Sequence, residues 1–116
     1  MGSSSSSTAS LPCMGADANT LTVSGHSAGC YMSERMLLIH SDIIRGAGLF
    51  QCWPYGTDYF TEVTSDSATA SSLSTISIAA IDAAESAGEI AATSNLANNS
   101  VYIYSGSEDD VTPPVG

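Results

Sequence analysis

The pentapeptide Gly-His-Ser-Ala-Gly at residues 25–29 constrains the fold of this chain more than any other feature. It follows residues 20–24, which are rich in β-branched side chains, and it precedes an uninterrupted helical pattern from Ala28 to about His40. The spacing G-x-S-x-G between a strand and a helix is typical of a turn that presents a serine hydroxyl. The alternative interpretation is a glycine-rich turn in which Ser27 is an ordinary helix N-cap.

The glycines and the serine of this turn point to nucleophilic chemistry. A serine at the tip of such a turn must adopt a strained backbone, and side chains two residues before and after it would collide with the adjoining strand and helix. We therefore expect Gly25 and Gly29 to remove those collisions. The Ser27 hydroxyl would lie over the helix N-terminus, where the Ala28 N–H could donate to a developing oxyanion. Ser27 is the candidate nucleophile and Ala28 the candidate oxyanion-hole residue.

Two further strands and a helical region complete the predicted order of elements. Residues 46–50 form a second strand of small side chains, and residues 101–104 form a third. Residues 71–92 between them suit one or two amphipathic helices, broken near Gly88. The alternation of strands and helices predicts an α/β fold with a parallel sheet and right-handed crossovers.

The composition predicts one small domain near the lower limit of what folds alone. Leu, Ile, Val and Phe number 22 of the 116 residues, whereas Ser and Thr number 31. Residues 1–10 are expected to form a flexible Ser-rich leader, and residues 11–116 the ordered part.

The charge and the hydropathy pattern exclude two classes of partner. Two Lys and Arg against twelve Asp and Glu give a net charge of −10, which would repel nucleic acid and anionic lipid headgroups. The longest run of large apolar residues covers only residues 36–39, far short of a membrane span. The first residues carry no secretory signal, and we expect no membrane association. The oligomeric state stays open.

A candidate acid follows the third strand, whereas no histidine is placed to act as a base. Asp109 lies where such a fold holds its triad carboxylate, although a solvated acidic turn is the alternative interpretation. His26 adjoins Ser27 but leaves the backbone in another direction. His40 lies at the far end of the same helix, roughly 20 Å away. Because the base follows the acid in this chain order, we interpret residues 11–116 as the N-terminal part of a domain whose histidine lies beyond Gly116.

These residues resemble the extracellular poly(3-hydroxybutyrate) depolymerases of the single-domain, fungal type and their bacterial relatives. The resemblance covers about residues 11–60 and 100–116. It is carried by Leu11-Pro12, by residues 15–19, 22–32, 41–42 and 46–48, by Pro54-Tyr55, and by residues 102–109 and 114–115. The most specific part of the resemblance is the position of Leu11-Pro12, only a few residues before the first strand.

The resemblance implies an incomplete α/β-hydrolase in a circularly permuted order that begins near the first strand. It implies Ser27 as nucleophile, Asp109 as orienting acid and the Ala28 N–H as one oxyanion donor. It also implies an extracellular location. Cys52 falls near a family cysteine that joins a disulfide, and its expected partner is Cys13. Cys30 is expected to be a small buried hydrophobe.

Aromatic residues that follow the second strand are candidates for substrate binding. Trp53, Tyr55 and Tyr59 lie after its carboxyl end, at the edge where open α/β sheets form their binding crevice. They could hold an apolar polyester chain, or they could simply pack.

The leading hypothesis is a serine esterase that hydrolyses polyhydroxyalkanoate through an acyl-enzyme on Ser27. The 116 residues by themselves are expected to be inactive, because they lack the histidine. The alternatives are a carboxylesterase or feruloyl-type esterase acting on small acyl esters, and a non-catalytic fragment or relative. We expect neither a metal nor another cofactor, since His26 and His40 have no ligand-like spacing with the cysteines.

Overall fold

A computed structural model describes residues 8–57 and 67–109, and within them the predicted alternation of strands and helices is present. The elements in chain order are β1 (Thr22–His26), α1 (Ala28–Ile39), β2 (Gly46–Phe50), α2 (Ser67–Ser86) and β3 (Ser100–Tyr104). Two short 3-10 helices, Ala18–Thr20 and Thr93–Asn98, precede β1 and β3. Residues 1–7 of the expected leader lie outside the described residues.

The three strands form one parallel sheet in the order β1-β2-β3. The register pairs His26 with Phe50 and Phe50 with Tyr104, so the three strands end at one level. The predicted α/β class with a parallel sheet is confirmed. The register also brings the residues that follow each strand to a common edge.

The main core lies between α1 and the first two strands. Cys30 and Leu37 of α1 pack with Ile44, Ala47 and Leu49, and all five are buried. The buried positions of α1 recur at helical spacing, as an amphipathic helix requires. This packing fixes α1, and therefore the turn that begins it, against β1 and β2.

The second helical region is a single helix, followed by a reversal at the predicted position. α2 ends at Ser86, and Gly88 has a φ of +73°, a left-handed conformation that glycine adopts without steric cost. Leu38, Ala84 and Ile90 form a smaller buried cluster between α1 and the end of α2.

β3 contrasts with the other two strands, because each of its five residues is exposed. Tyr102 and Ile103 are 62% and 72% exposed, respectively. No helix in the described parts of the chain combines the length and apolar character needed to span a membrane.

Candidate functional site

Ser27 occupies a strained turn between β1 and α1. Its φ of 53° and ψ of −118° lie outside the regions that non-glycine residues ordinarily adopt. Its N–H donates to the Phe50 carbonyl at 3.0 Å, which ties the turn to the end of β2. The exposed side chain makes no capping hydrogen bond, in contrast to an ordinary N-cap serine. The turn therefore presents the hydroxyl at the carboxyl edge of the sheet.

The two glycines of this turn differ in what they do. A Cβ at Gly25 would overlap the carbonyl group of Gly29 and come within 2.8 Å of the Cys30 nitrogen. A Cβ at Gly29 would meet no atom within 4 Å. The expected collision is present at Gly25, whereas the same expectation for Gly29 is wrong, because Gly29 is the residue on which Gly25 packs.

Ala28 is the first residue of α1, directly after Ser27. The first four N–H groups of a helix have no carbonyl partner within that helix, and they lie at the positive end of the helix dipole. The Ala28 N–H therefore has the position required of an oxyanion donor, and that role stays a prediction.

Asp109 is joined to the first two strands through Gln51. Asp109 Oδ2 accepts a hydrogen bond from Gln51 Nε2 at 2.7 Å, and the Asp109 N–H donates to the Gly106 carbonyl at 3.1 Å. Of its acidic neighbours, Glu108 is exposed and Asp110 lies outside the described residues. The structure thus links the carboxylate that follows β3 to the residue that follows β2.

Among the described residues, neither histidine hydrogen-bonds Ser27. His26 Nε2 is 2.7 Å from Gln51 Oε1, so that ring nitrogen is engaged away from Ser27. His40 is the C-cap residue directly after α1, at the opposite end of the helix from Ser27.

The two described aromatic residues after β2 differ in accessibility. Trp53 is 1% exposed, which places its indole in the interior rather than on a binding surface. Tyr55 is half-buried, with the Arg35 guanidinium carbon 5.7 Å from its ring centroid. Tyr59 lies outside the described residues.

Tyr55 and Arg35 also line an open pocket of about 460 Å³ against α2. Arg35 lies eight residues after Ser27, roughly 12 Å along α1 at 1.5 Å per residue. Neither Ser27 nor Asp109 is among the lining residues, so this pocket is separate from the Ser27 turn.

Glu34 of α1 carries a partly buried carboxyl group beside Tyr55. Burial raises the pKa of Glu34 from its ordinary 4.5 to about 7, while the Tyr55 N–H and the Arg35 charge act in the opposite direction. The Tyr55 N–H donates to Glu34 Oε1 at 3.0 Å. Among the described residues, Oε2 has no hydrogen-bond partner.

The disulfide joins Cys30 to Cys52, with a Cα–Cα distance of 5.7 Å. The expected pairing of Cys13 with Cys52 is wrong, and Cys13 is a free, exposed cysteine. The physical reason is the parallel pairing of β1 with β2, which brings the first turn of α1 beside the residues that follow β2. Cys30 is fully buried, as expected. Its sulfur forms a disulfide, however, and is not a free thiol packed in the core.

Gln51 is the residue that the sequence analysis missed. The available signal was its position, as a polar residue directly after the central strand. Its φ of +57° and its two side-chain partners depend on contacts that no local pattern reveals. Within the described ranges, no three His, Cys, Asp or Glu side chains cluster as metal ligands would.

Comparison with known proteins finds a distant relative. The chain is 26% identical over 118 residues to a polyhydroxybutyrate depolymerase of Talaromyces funiculosus. The alignment covers 98% of this chain and 34% of the relative, so the chain spans about a third of that protein's length. No protein-family profile matches the chain. No solved structure matches it either.

Proposed function

We propose that this chain supplies the nucleophile and the orienting acid of a serine esterase with a depolymerase-like α/β-hydrolase fold. The observation that carries the proposal is the strained Ser27, whose exposed side chain takes no part in capping α1. The backbone packing at Gly25 supports it, because a strand-to-helix turn this tight tolerates no side chain at that position.

In the proposed reaction, Ser27 Oγ attacks the ester carbonyl carbon and gives its proton to a base. The carbonyl oxygen becomes an oxyanion that accepts a hydrogen bond from the Ala28 N–H. Collapse of this intermediate expels the alcohol, which takes the proton from the base and leaves an acyl-enzyme on Ser27. Water then attacks the acyl carbonyl carbon while the base accepts a proton from it. The bond to Ser27 Oγ breaks, Oγ takes that proton back from the base, and the carboxylic acid leaves.

The proposal assigns the base to a histidine outside these 116 residues, oriented by Asp109. Neither His26, whose Nε2 is bonded to Gln51, nor His40, at the far end of α1, has the required placement. The Gln51 hydrogen bond supports Asp109 over Glu108 as the acid.

The proposed substrate class is the polyhydroxyalkanoate polyesters, either 3-hydroxybutyrate polymer or its oligomers. The support is the relative named polyhydroxybutyrate depolymerase, together with the sequence resemblance of residues 22–32. Of the aromatic candidates, the half-buried Tyr55 is more suitable for contact with substrate than the buried Trp53. Because the pocket of Tyr55 is separate from the Ser27 turn, such a contact would be with a part of the polyester away from the reacting ester. The Cys30–Cys52 disulfide supports the proposed extracellular location, since such bonds persist in oxidising compartments.

Labelling with a fluorophosphonate probe tests the nucleophile. The protein is expressed from the complete reading frame that contains these residues, as wild type, Ser27→Ala and Ser24→Ala. Ser24 is an exposed serine three residues before Ser27, which makes it a matched control. We expect wild type and Ser24→Ala to be labelled on Ser27 and Ser27→Ala to be unlabelled. Labelling that persists in Ser27→Ala would refute the proposal.

A second measurement separates the substrate classes. Release of 3-hydroxybutyrate from polymer, lost in Ser27→Ala, supports the depolymerase. Turnover of a short nitrophenyl ester with no release from polymer favours the small-ester alternative. A protein that is folded but neither labelled nor active would be the non-catalytic relative.

A further inference from the structure

The Gln51 side chain hydrogen-bonds both His26, the residue next to Ser27, and the candidate acid Asp109. It directly follows the central strand β2, between the two strands that lead to Ser27 and to Asp109. Its N–H donates to the Tyr104 carbonyl at 2.9 Å, so its backbone also ties β2 to the end of β3.

The backbone of Gln51 has an unusual conformation for its residue type. Its φ of +57° lies in the left-handed region that disfavours side chains other than those of Gly, Asn and Asp. In β2, successive side chains point to opposite faces of the sheet, and a left-handed residue after the strand breaks that alternation. The strained conformation is thus associated with a side chain that reaches along the sheet edge to both neighbours.

The polarity of the two side-chain hydrogen bonds follows from chemistry. An ionised carboxylate only accepts hydrogen bonds, so the amide must offer its NH₂ group to Asp109 and its oxygen to His26. His26 must then carry a proton on Nε2. The result is a directed chain in which His26 donates to Gln51 and Gln51 donates to Asp109, each over 2.7 Å.

We propose that Gln51 is a positioning residue that holds the Asp109 carboxylate for the triad, with His26 anchoring the far side of its amide. This inference rests on the proposed function. Asp109 follows an exposed strand, and it is fixed by a side chain from the well-packed part of the sheet. The turn next to Ser27 and the loop of Asp109 are therefore held in one mutual geometry.

The physical argument is one of orientation. A triad acid works by holding the histidine ring in one position and one tautomer. A carboxylate held in another orientation does this poorly, and a misplacement of about 1 Å can cost on the order of a hundredfold in rate. Loss of the Gln51 amide should therefore lower kcat while substrate binding is retained.

The decisive variant is Gln51→Asn, in the complete reading frame. Asn keeps the amide and is favourable in the left-handed region, but it is one methylene shorter and cannot span His26 and Asp109. On a soluble hydroxybutyrate ester we expect kcat to fall on the order of tenfold to a hundredfold. KM should change less than twofold, and Ser27 should still be labelled, at a reduced rate. A kcat within twofold of wild type would overturn the inference.

Gln51→Glu is a second variant of the same length as Gln51. It places a carboxylate against Asp109 while keeping an acceptor for His26, so kcat should again fall with KM little changed. If Gln51→Asn does not fold, a wild-type kcat in Gln51→Glu overturns the inference.

The protonation of the His26 ring nitrogens can be measured on the wild-type protein. The ¹⁵N shifts of the His26 ring should show the proton on Nε2, and a ring protonated only on Nδ1 would overturn the proposed chain. Failure of the proposed function is distinguishable from these outcomes. It is seen before any Gln51 variant is made, as labelling that does not depend on Ser27 or as a folded wild-type protein that is neither labelled nor active.

Discussion

The turn that carries Ser27 and the loop that carries Asp109 lie at the same edge of one sheet, yet they are held in different ways. The Ser27 turn is built from adjacent residues, and the fully buried Cys30 in the next helical turn fixes it to the core. Asp109 follows the exposed strand β3, and its bond to Gln51 spans 58 positions of sequence. The nucleophile thus depends mainly on local geometry, with one backbone hydrogen bond to Phe50, whereas the acid depends on long-range side-chain contact.

The largest expected effect on stability concerns the Ser27 turn. Gly25→Ala forces a methyl group into the Gly29 backbone, so we expect a loss of about 4 kcal/mol in the free energy of unfolding. Gly29→Ala enters open space in a helix, and should change stability by no more than about 1 kcal/mol. Urea unfolding of both variants measures the difference.

Fluorophosphonate labelling extends this test to the site. In the protein expressed from the complete reading frame, Gly25→Ala should abolish labelling of Ser27, whereas Gly29→Ala should retain it. Equal behaviour of the two variants would show that the Ser27 turn does not depend on the close packing of Gly25.

A pair of residues in register tests the contrast between strands. Leu49 of β2 is 8% exposed, and its register partner Ile103 of β3 is 72% exposed. Leu49→Ala should lower the free energy of unfolding by about 3 kcal/mol. Ile103→Ala should lower it by less than about 0.5 kcal/mol in the 116-residue chain, measured by urea unfolding.

The same pair in the complete reading frame would sharpen the comparison. A large cost of Ile103→Ala there, against a small cost in the 116-residue chain, would show that another part of the protein covers β3. If Ile103→Ala lowered the free energy of unfolding by the same large amount in both proteins, the contrast between β2 and β3 would be contradicted.

The third prediction, smaller than the losses expected for Gly25→Ala and Leu49→Ala, concerns the pH dependence of stability that Glu34 on α1 confers. Its pKa is raised to about 7 in the folded protein, so folding favours the protonated carboxyl. Its contribution to stability is full below about pH 4.5 and is lost as the pH rises to about 7. The loss should be on the order of 2 kcal/mol.

Glu34→Gln should remove this pH dependence, and Glu89→Gln, which makes the same charge change at an exposed position, should not. Unfolding free energies measured at pH 5 and pH 8 provide the comparison. Equal pH dependence in wild type and Glu34→Gln would contradict a raised pKa at that carboxyl.

Much of the secondary structure could be predicted because it depends on neighbouring residues. The β-branched run before Gly25, the helical pattern after Ala28 and the reversal at Gly88 are local signals. β1 extends two residues further than predicted, to His26, because its pairing with β2 continues through Gly25 and His26.

The predictions that were wrong or left open concern contacts between distant residues. The disulfide partner of Cys52 depends on the pairing of β1 with β2, which places Cys30 rather than Cys13 beside it. The interior position of Trp53 and the role of Gln51 in linking His26 with Asp109 also depend on packing that spacing does not encode.

The sequence by itself determined the order of strands and helices, the tight turn at Gly25 and the exposure of a serine at its tip, because backbone sterics over five residues decide them. Only the tertiary structure decided which cysteines pair, which carboxylate is joined to the Ser27 side of the sheet and which aromatic side chain is accessible. These follow from strand order and register, which bring together residues up to 58 positions apart.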